Sequence, residues 1–433
     1  MPRLFKRWRE GAARLLWLGR DLADCLLFPP RREAGLVMAV RRRWPPLPDQ
    51  AVGRLLVDVS VIHRHDAGTG IQRVVRSIRD ALPGAVPADM AIDHLAFDHR
   101  AGRFVTVAGE QIAGQPGSLF LGLDFSTDAV FRARRQLADL RAAGVPLWFL
   151  VHDVLPISHP QWFTAASRIK YRRWMRTCAA LADGFLCVSP ATADALQGLL
   201  RDRYGLQELP RVVTITPGSN ILPGDRRVGI DHLPRQPGLD AELFARAAIV
   251  VGTLEPRKGH GQVLAAFERL WDRGEEIPLV LIGRPGWGTG PLQAAIRRHP
   301  RRGSLLFWCA EADDDALHAA YRHCRLTLVP SLAEGYGLPL DEALLLGSPV
   351  LARDLPVFRR HGAGLVRFFP QDADTAALAA AISAAWHAAE AGRRADLPAL
   401  RDWADTAHEV AAAIGAARAA APLSGSGARA GAG

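Results

Sequence analysis

Short apolar runs alternate with amphipathic stretches along most of this chain. The runs Leu55–Ile62, Ala91–Phe97, Ser118–Leu121, Leu147–His152, Gly184–Val188 and Val212–Thr216 predict strands. Ile71–Leu82, Ala129–Ala143 and Ser167–Ala182 carry helical spacing between them. The pattern breaks across 217–243, where Pro and Gly interrupt charged residues, and this predicts a linker or surface excursion. Strand signals resume at Ala248–Gly252, Leu279–Gly283, Leu305–Cys309, Leu326–Pro330 and Pro349–Ala352. An Ala-rich helical stretch fills 375–418, and the Gly/Ala/Ser-rich end Leu423–Gly433 predicts disorder. Alternation of this kind predicts the α/β class, as two doubly wound Rossmann-like domains in tandem. The boundaries read as a basic amphipathic segment over 1–48, a first domain over 49–240, a second domain with C-terminal helices over 241–418, and a disordered tail over 419–433.

The composition narrows the class further. With 433 residues, 49% of them apolar, the chain can bury two large cores and is not a disordered protein. Five cysteines without a Cys-x-x-Cys pair argue against a disulfide scaffold and a thiolate zinc site, and fit a reducing compartment. No apolar run approaches the roughly 20 residues that cross a bilayer, and no clean signal peptide is legible. The expectation is a cytoplasmic enzyme.

The net charge of +10 invites a nucleic-acid reading, but its location opposes one. Residues 1–48 hold eleven basic and four acidic groups, or +7 of the +10, so the rest of the chain is nearly neutral. Leu4, Trp8, Leu15, Leu18, Leu22 and Leu26 fall on one helical face, with Arg3, Arg7, Glu10, Arg14, Asp21 and Asp24 on the other. Such a helix either lies on an anionic membrane, at the inner face in this setting, or packs on the protein's own core. Lysine is rare, with Lys6, Lys170 and Lys258 its three occurrences, which singles out Lys258.

The chemistry-bearing segment is Val329–Arg353, VPSLAEGYGLPLDEALLLGSPVLAR. A strand ends at Pro330, a loop carries Glu334-Gly335-Tyr336-Gly337, and Leu338 starts helical spacing. Glycines there bare backbone N–H groups, and a helix start adds a positive dipole end, which together suit an anion. Glu334 precedes the helix and Glu342 lies within it, so the two carboxylates can meet different parts of one elongated ligand. Carboxylates accept paired sugar hydroxyls well, although an N-capping acid and an exposed helix acid would leave the same pattern. A second segment, Val250–Gly259 (VVGTLEPRKG), brings Arg257 and Lys258 to a strand's carboxyl end, where adjacent cations suit a diphosphate.

Together these segments resemble the retaining family 4 glycosyltransferases of the GT-B fold, two Rossmann-like domains around a cleft. The resemblance spans most of 54–415. Glu334 and Glu342, seven residues between them, are its most specific mark. The Leu281–Trp287 run, with Gly283 and Arg284, looks like the family's glycine turn beside the nucleotide, and Val188–Thr192 looks like its VSxxT turn. Gly68, Gly70 and Arg73 in GTGIQR look like its loop near the diphosphate and acceptor. His152 and Asp153 look like the strand end beside the transferred sugar. The family often has Arg where Thr253 stands and an acid near 360, where this chain has Arg360.

The resemblance implies that Glu342 holds the nucleotide ribose, and that Glu334 with Gly335, Tyr336, Gly337 and Leu338 holds the donor sugar. Arg257 and Lys258 would neutralise the diphosphate, and His152 would contact the sugar from the first domain. It implies a nucleoside diphosphate sugar as co-substrate, with neither cofactor nor metal. The base would contact the loop around Trp308–Glu311. EPRKG and GTGIQR look similar to mannosyl- and rhamnosyltransferases of bacterial surface polysaccharides, so the expected reaction moves a hexose, first of all mannose, to a glycan or lipid-linked glycan. Two alternatives stay open: a sugar-nucleotide epimerase on the same fold, and a non-catalytic basic protein that binds membrane or nucleic acid. Asp313-Asp314-Asp315 reads as an acid-rich helix start rather than a metal site, and Cys187 as a core residue.

Overall fold

The computed structural model describes residues 18–43, 47, 52–222, 228–360, 364–389 and 401–415. The first sheet contains β1 (Arg54–Asp58), β2 (Ala91–Asp98), β3 (Arg103–Thr106), β4 (Ser118–Gly122), β5 (Leu147–Val151), β6 (Gly184–Cys187) and β7 (Arg211–Thr214). Its order is β3-β2-β1-β4-β5-β6-β7, parallel except for the β2–β3 pair. The second contains β8 (Ala248–Val251), β9 (Leu279–Ile282), β10 (Leu306–Cys309), β11 (Leu326–Val329), β12 (Val350–Arg353) and β13 (Val366–Phe369), ordered β10-β9-β8-β11-β12-β13 and parallel throughout. Both sheets reverse strand order at one point, β1/β4 in the first and β8/β11 in the second. Such a switch opens a crevice at the strands' carboxyl ends.

The helices that bear on the site are α1 (Pro30–Arg43), α2 (Gly70–Ala85), α3 (Ala165–Leu181), α4 (Pro190–Asp202), α5 (His260–Asp272), α6 (Asp314–His323), α7 (Leu338–Leu345), α8 (Thr375–Ala388) and α9 (Trp403–Ala413). Each strand feeds both faces of its sheet. Leu56, Phe120, Phe149 and Phe185 enter one core of the first domain, while Leu55, Leu119, Leu150 and Leu186 enter the other. Near-continuous apolar strands follow from cover on both faces.

Several boundaries differ from the sequence reading. The first strand ends at Asp58, and Ser60–Arg64 is helical because the Asp124 carboxylate accepts the Val61 and Ile62 N–H groups at 2.6 and 2.9 Å. β3 and β13 are edge strands with few buried side chains, so no apolar run announces them. Ala129–Ala143 is two helices, Thr127–Arg132 and Arg134–Ala142. Part of the 217–243 excursion is structural: Ile221, Leu222 and Val228 enter the second domain's core.

The C-terminal helix crosses over. The sequence assigns it to the second domain, yet Trp403, Ala407, Val410 and Ala411 of α9 pack with Val74, Val75 and Ile78 of α2 in the first domain. Trp403 and Thr406 also donate to the carbonyls of Asn220 (3.1 Å) and Thr216 (2.8 Å). The tail over 419–433, and the N-terminal positions Leu4, Trp8 and Leu15, lie outside the described residues.

Candidate active site

The loops after β8 and β11 meet at the second sheet's switch point. The β8 loop turns through Pro256–Lys258 and reaches Gly259 at φ +73°. A Cβ there would sit 2.5 Å from the Pro330 carbonyl oxygen, so glycine is what lets the two loops touch. The Leu332 N–H donates to the Arg257 carbonyl at 2.7 Å and ties the β11 loop down. Arg257 and Lys258 are thereby delivered to Glu334.

The Glu334 side chain is 7% exposed and accepts from three groups. Arg257 Nη1 donates to Oε2 at 2.6 Å, Ser331 Oγ donates to Oε1 at 2.7 Å, and Lys258 Nζ donates to Oε1. Burial opposes its ionisation, but the two cations outweigh that and hold the carboxyl down at about 2. Glu255 Oε2 lies 3.1 Å from Arg257 Nε. Burial raises Glu255 and Asp153 above the usual carboxylate range, partly offset by Arg257 and Lys258. The cations therefore face three acids, and an entering diphosphate would compete with those acids for them.

Glu342 anchors a second cluster. It projects from α7 and is buried. Tyr321 Oη donates to Oε2 at 2.8 Å, and Arg73 Nη1, from α2 of the other domain, donates to Oε1. Arg73 Nη2 donates to Asp314 at 2.5 Å in the first turn of α6. The sequence reading places Arg73 near the diphosphate; in the structure it pairs with Glu342 and Asp314.

The first domain closes on this loop at its carboxyl-end turns. A Cβ on Gly335 would lie 1.8 Å from the His152 carbonyl oxygen, so only a glycine permits the approach. Ser189 Oγ, the N-cap of α4, donates to the Gly335 carbonyl at 2.5 Å, and Thr192 Oγ1 donates to it at 3.1 Å. Tyr171 Oη donates to the Asp153 carbonyl at 2.5 Å. His152 is buried with its ring edge against Phe125, and burial depresses it to about 4, so the ring is neutral. Among the described residues its Nε2 has no hydrogen-bond partner.

Gly337 takes φ +93°, where a Cβ would strike Phe358. Tyr336 and Leu338 leave their own domain and join a first-domain core, and Tyr336 Oη donates to the Pro217 carbonyl at 3.1 Å. Gly70 lies against Leu338, with a notional Cβ at 3.7 Å. Gly68, at φ +64°, is exposed and starts the turn into α2. Gly283 packs on the Gly252 carbonyl, and its own carbonyl accepts Trp308 Nε1 at 2.8 Å. Arg284 is exposed, and its carbonyl accepts the Leu254 N–H of the β8 loop at 2.9 Å.

Sequence reasoning missed several members. Arg360, noted only as a departure, donates to the Tyr336 carbonyl at 2.7 Å and to Asp341 at 2.8 Å, and lies 4.0 Å from the centre of the Tyr336 ring. Asp313 caps α6 as expected, through the Ala316 N–H at 2.8 Å, but its neighbour Asp314 also bridges the domains. Tyr321 carried no signal beyond helical spacing. Among the described residues, no three His, Cys, Asp or Glu side chains form a group suited to a metal ion.

Residues 244–395 match the family described as glycosyl transferases group 1, and that span contains Arg257, Lys258, Glu334 and Glu342. The chain carries a group 1 glycosyltransferase domain. Over 328 residues the chain is 35% identical to the serotype-specific mannosyltransferase WbdA of Escherichia coli, covering 71% of this chain and 38% of the relative. It thus spans about two fifths of the length of the WbdA relatives. The phosphatidyl-myo-inositol mannosyltransferase of Mycobacterium leprae is 29% identical over 206 residues, 45% of this chain and 54% of that one. Among solved structures, Anabaena HepE in complex with UDP-glucose superposes with a TM-score of 0.52 at 16% identity, covering 84% of this chain and 97% of the other. The sucrose-phosphate synthase of Thermosynechococcus elongatus gives 0.54 at 17% identity, over 83% and 94% of the two chains. The architecture is the GT-B fold.

Proposed function

We propose that this protein is a retaining mannosyltransferase that moves mannose from a nucleoside diphosphate donor to a glycan or lipid-linked glycan of a bacterial surface polysaccharide. The observation that carries the reading is Glu334 locked between Arg257 and Lys258 at the second sheet's switch point, under His152 of the opposite domain. The similarity to the serotype-specific mannosyltransferase WbdA supports mannose, and that to an O-antigen chain mannosyltransferase of Escherichia coli supports a surface-glycan acceptor.

In this reading the donor diphosphate draws Lys258 and Arg257 to itself, which frees Glu334 to accept hydroxyls of the sugar. Glu342 exchanges Arg73 for the ribose diol. Breakage of the bond from anomeric carbon to phosphate oxygen sends its electron pair to the diphosphate, where fixed cations and the α7 N-terminus stabilise the growing charge. The acceptor hydroxyl adds on the same face, and its proton passes to the departing phosphate oxygen. Neutral His152 offers its unpartnered Nε2 to the sugar.

The base fits a cleft of about 560 Å³ lined by Trp308, Glu311, Asp313 and residues 231–236. Carboxylates there suit the N–H donors of guanine, which favours GDP-mannose. The test is turnover with GDP-mannose, UDP-glucose and dTDP-rhamnose, each with and without a mannan acceptor. Mannose transfer from the GDP sugar supports the proposal. Isomerised donor without acceptor identifies an epimerase, and no change in any donor overturns catalysis.

A further inference from the structure

Three acids fix how the N-terminal helices meet the first domain. Asp21 and Asp24 lie on the helix over 18–27 and Glu33 on α1, and all three are buried. Asp21 pairs with Arg168 and, at 2.6 Å, with Arg172 of α3. Asp24 pairs with Arg172 at 3.1 Å and Arg173 at 3.3 Å. Glu33 pairs with Arg176 at 2.8 Å and Arg203 at 2.7 Å. Rotating the helix about its axis would leave these buried charges unpaired, so its orientation is set.

The consequence appears on the opposite face. Leu18, Leu22 and Leu26, spaced by four, are 51%, 63% and 72% exposed, with Leu27 on the same helix at 55% and Leu36 on α1 at 44%. A helix that only covers its own domain turns its leucines inward; this one turns its acids inward and its leucines out. A contiguous apolar stripe of this kind marks an interaction surface.

Charge decides the occupant. Residues 1–48 hold eleven basic and four acidic groups, and three of those acids are committed to arginines of the domain. Arg41 donates to the carbonyls of Ala179 (3.0 Å) and Ala182 (3.1 Å) rather than to a carboxylate. Three of the segment's four acids thus pair with arginines of the first domain, while Arg31, Arg32 and Arg42 are exposed. Leucines flanked by such charge match an anionic lipid surface, with side chains at the acyl boundary and guanidiniums among phosphates. A second copy packed face to face would bring two basic segments together, which like charge opposes.

The helix that carries the stripe is also tied to the contact between the domains. Arg168, which holds Asp21, donates to the Pro160 carbonyl at 3.3 Å. The Pro160–Trp162 turn accepts the Trp287 indole N–H of the second domain at 2.8 Å. We propose that the leucine face of residues 18–36 docks this protein on an anionic membrane, with the rim of the interdomain cleft held at the lipid surface. The docking rests on the geometry of the helix and not on the donor or acceptor assignment.

The test is co-sedimentation of the full chain with vesicles of phosphatidylglycerol mixed with phosphatidylcholine, against phosphatidylcholine alone. Binding to the anionic vesicles, weakened by salt, is expected. Leu22→Glu with Leu26→Glu should lower the partition coefficient about 10²-fold, as two leucines leave an apolar phase, while Leu22→Phe with Leu26→Phe retains it. Both side chains are exposed, so an unchanged Tm separates lost docking from lost folding. Wild-type protein that ignores anionic vesicles, or the double Glu variant binding as the parent does, overturns the proposal. So does a homodimer in light scattering that the double Glu variant dissolves, since a second copy then covers the stripe.

Discussion

Ser189 Oγ donates to the Gly335 carbonyl at 2.5 Å, so a hydroxyl of the first domain holds the peptide next to Glu334 in the second. Both ends are buried, and Thr192 Oγ1 supports the same oxygen from 3.1 Å. Removing Ser189 leaves Thr192 as the one hydroxyl on that carbonyl. Ser189→Ala is expected to lower kcat by about tenfold, the scale of one hydrogen bond, with little change in KM for the donor. Ser189→Thr should recover part of the loss. Equal kinetics for Ser189→Ala and wild type would show that this bond does not position the loop.

Gly335 lets the two domains approach closely. A methyl group there would need the space of the His152 carbonyl oxygen, 1.8 Å away. Gly335→Ala must therefore part the domains or push the loop aside. A shift of about 1 Å at a reacting centre costs on the order of 10²-fold in rate. Steady-state turnover together with small-angle scattering checks this: a slow enzyme with a widened particle is expected, and a fully active Gly335→Ala would contradict the observed contact.

Lys258 and Arg257 are assigned to the leaving diphosphate. Lys258→Ala should reduce kcat on the order of 10²-fold, by analogy with a lost oxyanion donor. Lys258→Arg restores part of this, since a planar fork replaces a compact ammonium imperfectly. Competition by nucleoside and by nucleoside diphosphate separates roles. If Lys258→Ala weakens both alike, the residue does not serve the phosphates.

Glu342 gives the complementary pattern. Glu342→Ala should weaken nucleoside and nucleoside diphosphate equally, by about 1.5–3 kcal/mol, the range for a hydrogen bond to a charged group. Arg73 would lose its partner in the same variant while keeping Asp314. Calorimetric titration of both ligands measures the effect, and unchanged nucleoside affinity in a folded variant removes Glu342 from the ribose site.

Asp58 imposes a pH dependence on stability. Its carboxyl is wholly buried, accepts from Ser60 and Ser126, and is pushed up to about 7 by burial and then by Asp124. Between about pH 4 and pH 7 the folded chain keeps a proton here that the unfolded chain has lost. The stabilisation is full below the unfolded value and is lost as pH rises through 7, on the order of 4 kcal/mol at one pKa unit per 1.4 kcal/mol. Asp58→Asn cannot titrate, so its stability should fall less between pH 5 and pH 8 in urea unfolding. Identical pH differences in both proteins would place the Asp58 carboxyl near its ordinary value.

Apolar runs and helical spacing were enough to place eleven of the thirteen strands among the described residues near their observed positions, because a strand covered on both faces must be apolar along its length. The edge strands β3 and β13 bury too little to write that signal. Glu334, Arg257 and Lys258 were legible because loops at strand ends put their own residues at the crevice, and Glu342 because it lies in the helix that follows one of those loops. Their partners were not. Arg73 lies 269 positions from Glu342 and Ser189 lies 146 from Gly335, and only the packing of one domain on the other decides such pairs. The crossing of α9 to the first domain and the outward turn of Leu18, Leu22 and Leu26 have the same origin. Helical periodicity defines two faces, but it does not say which one points inward when buried ion pairs with Arg168, Arg172 and Arg173 compete with leucine burial.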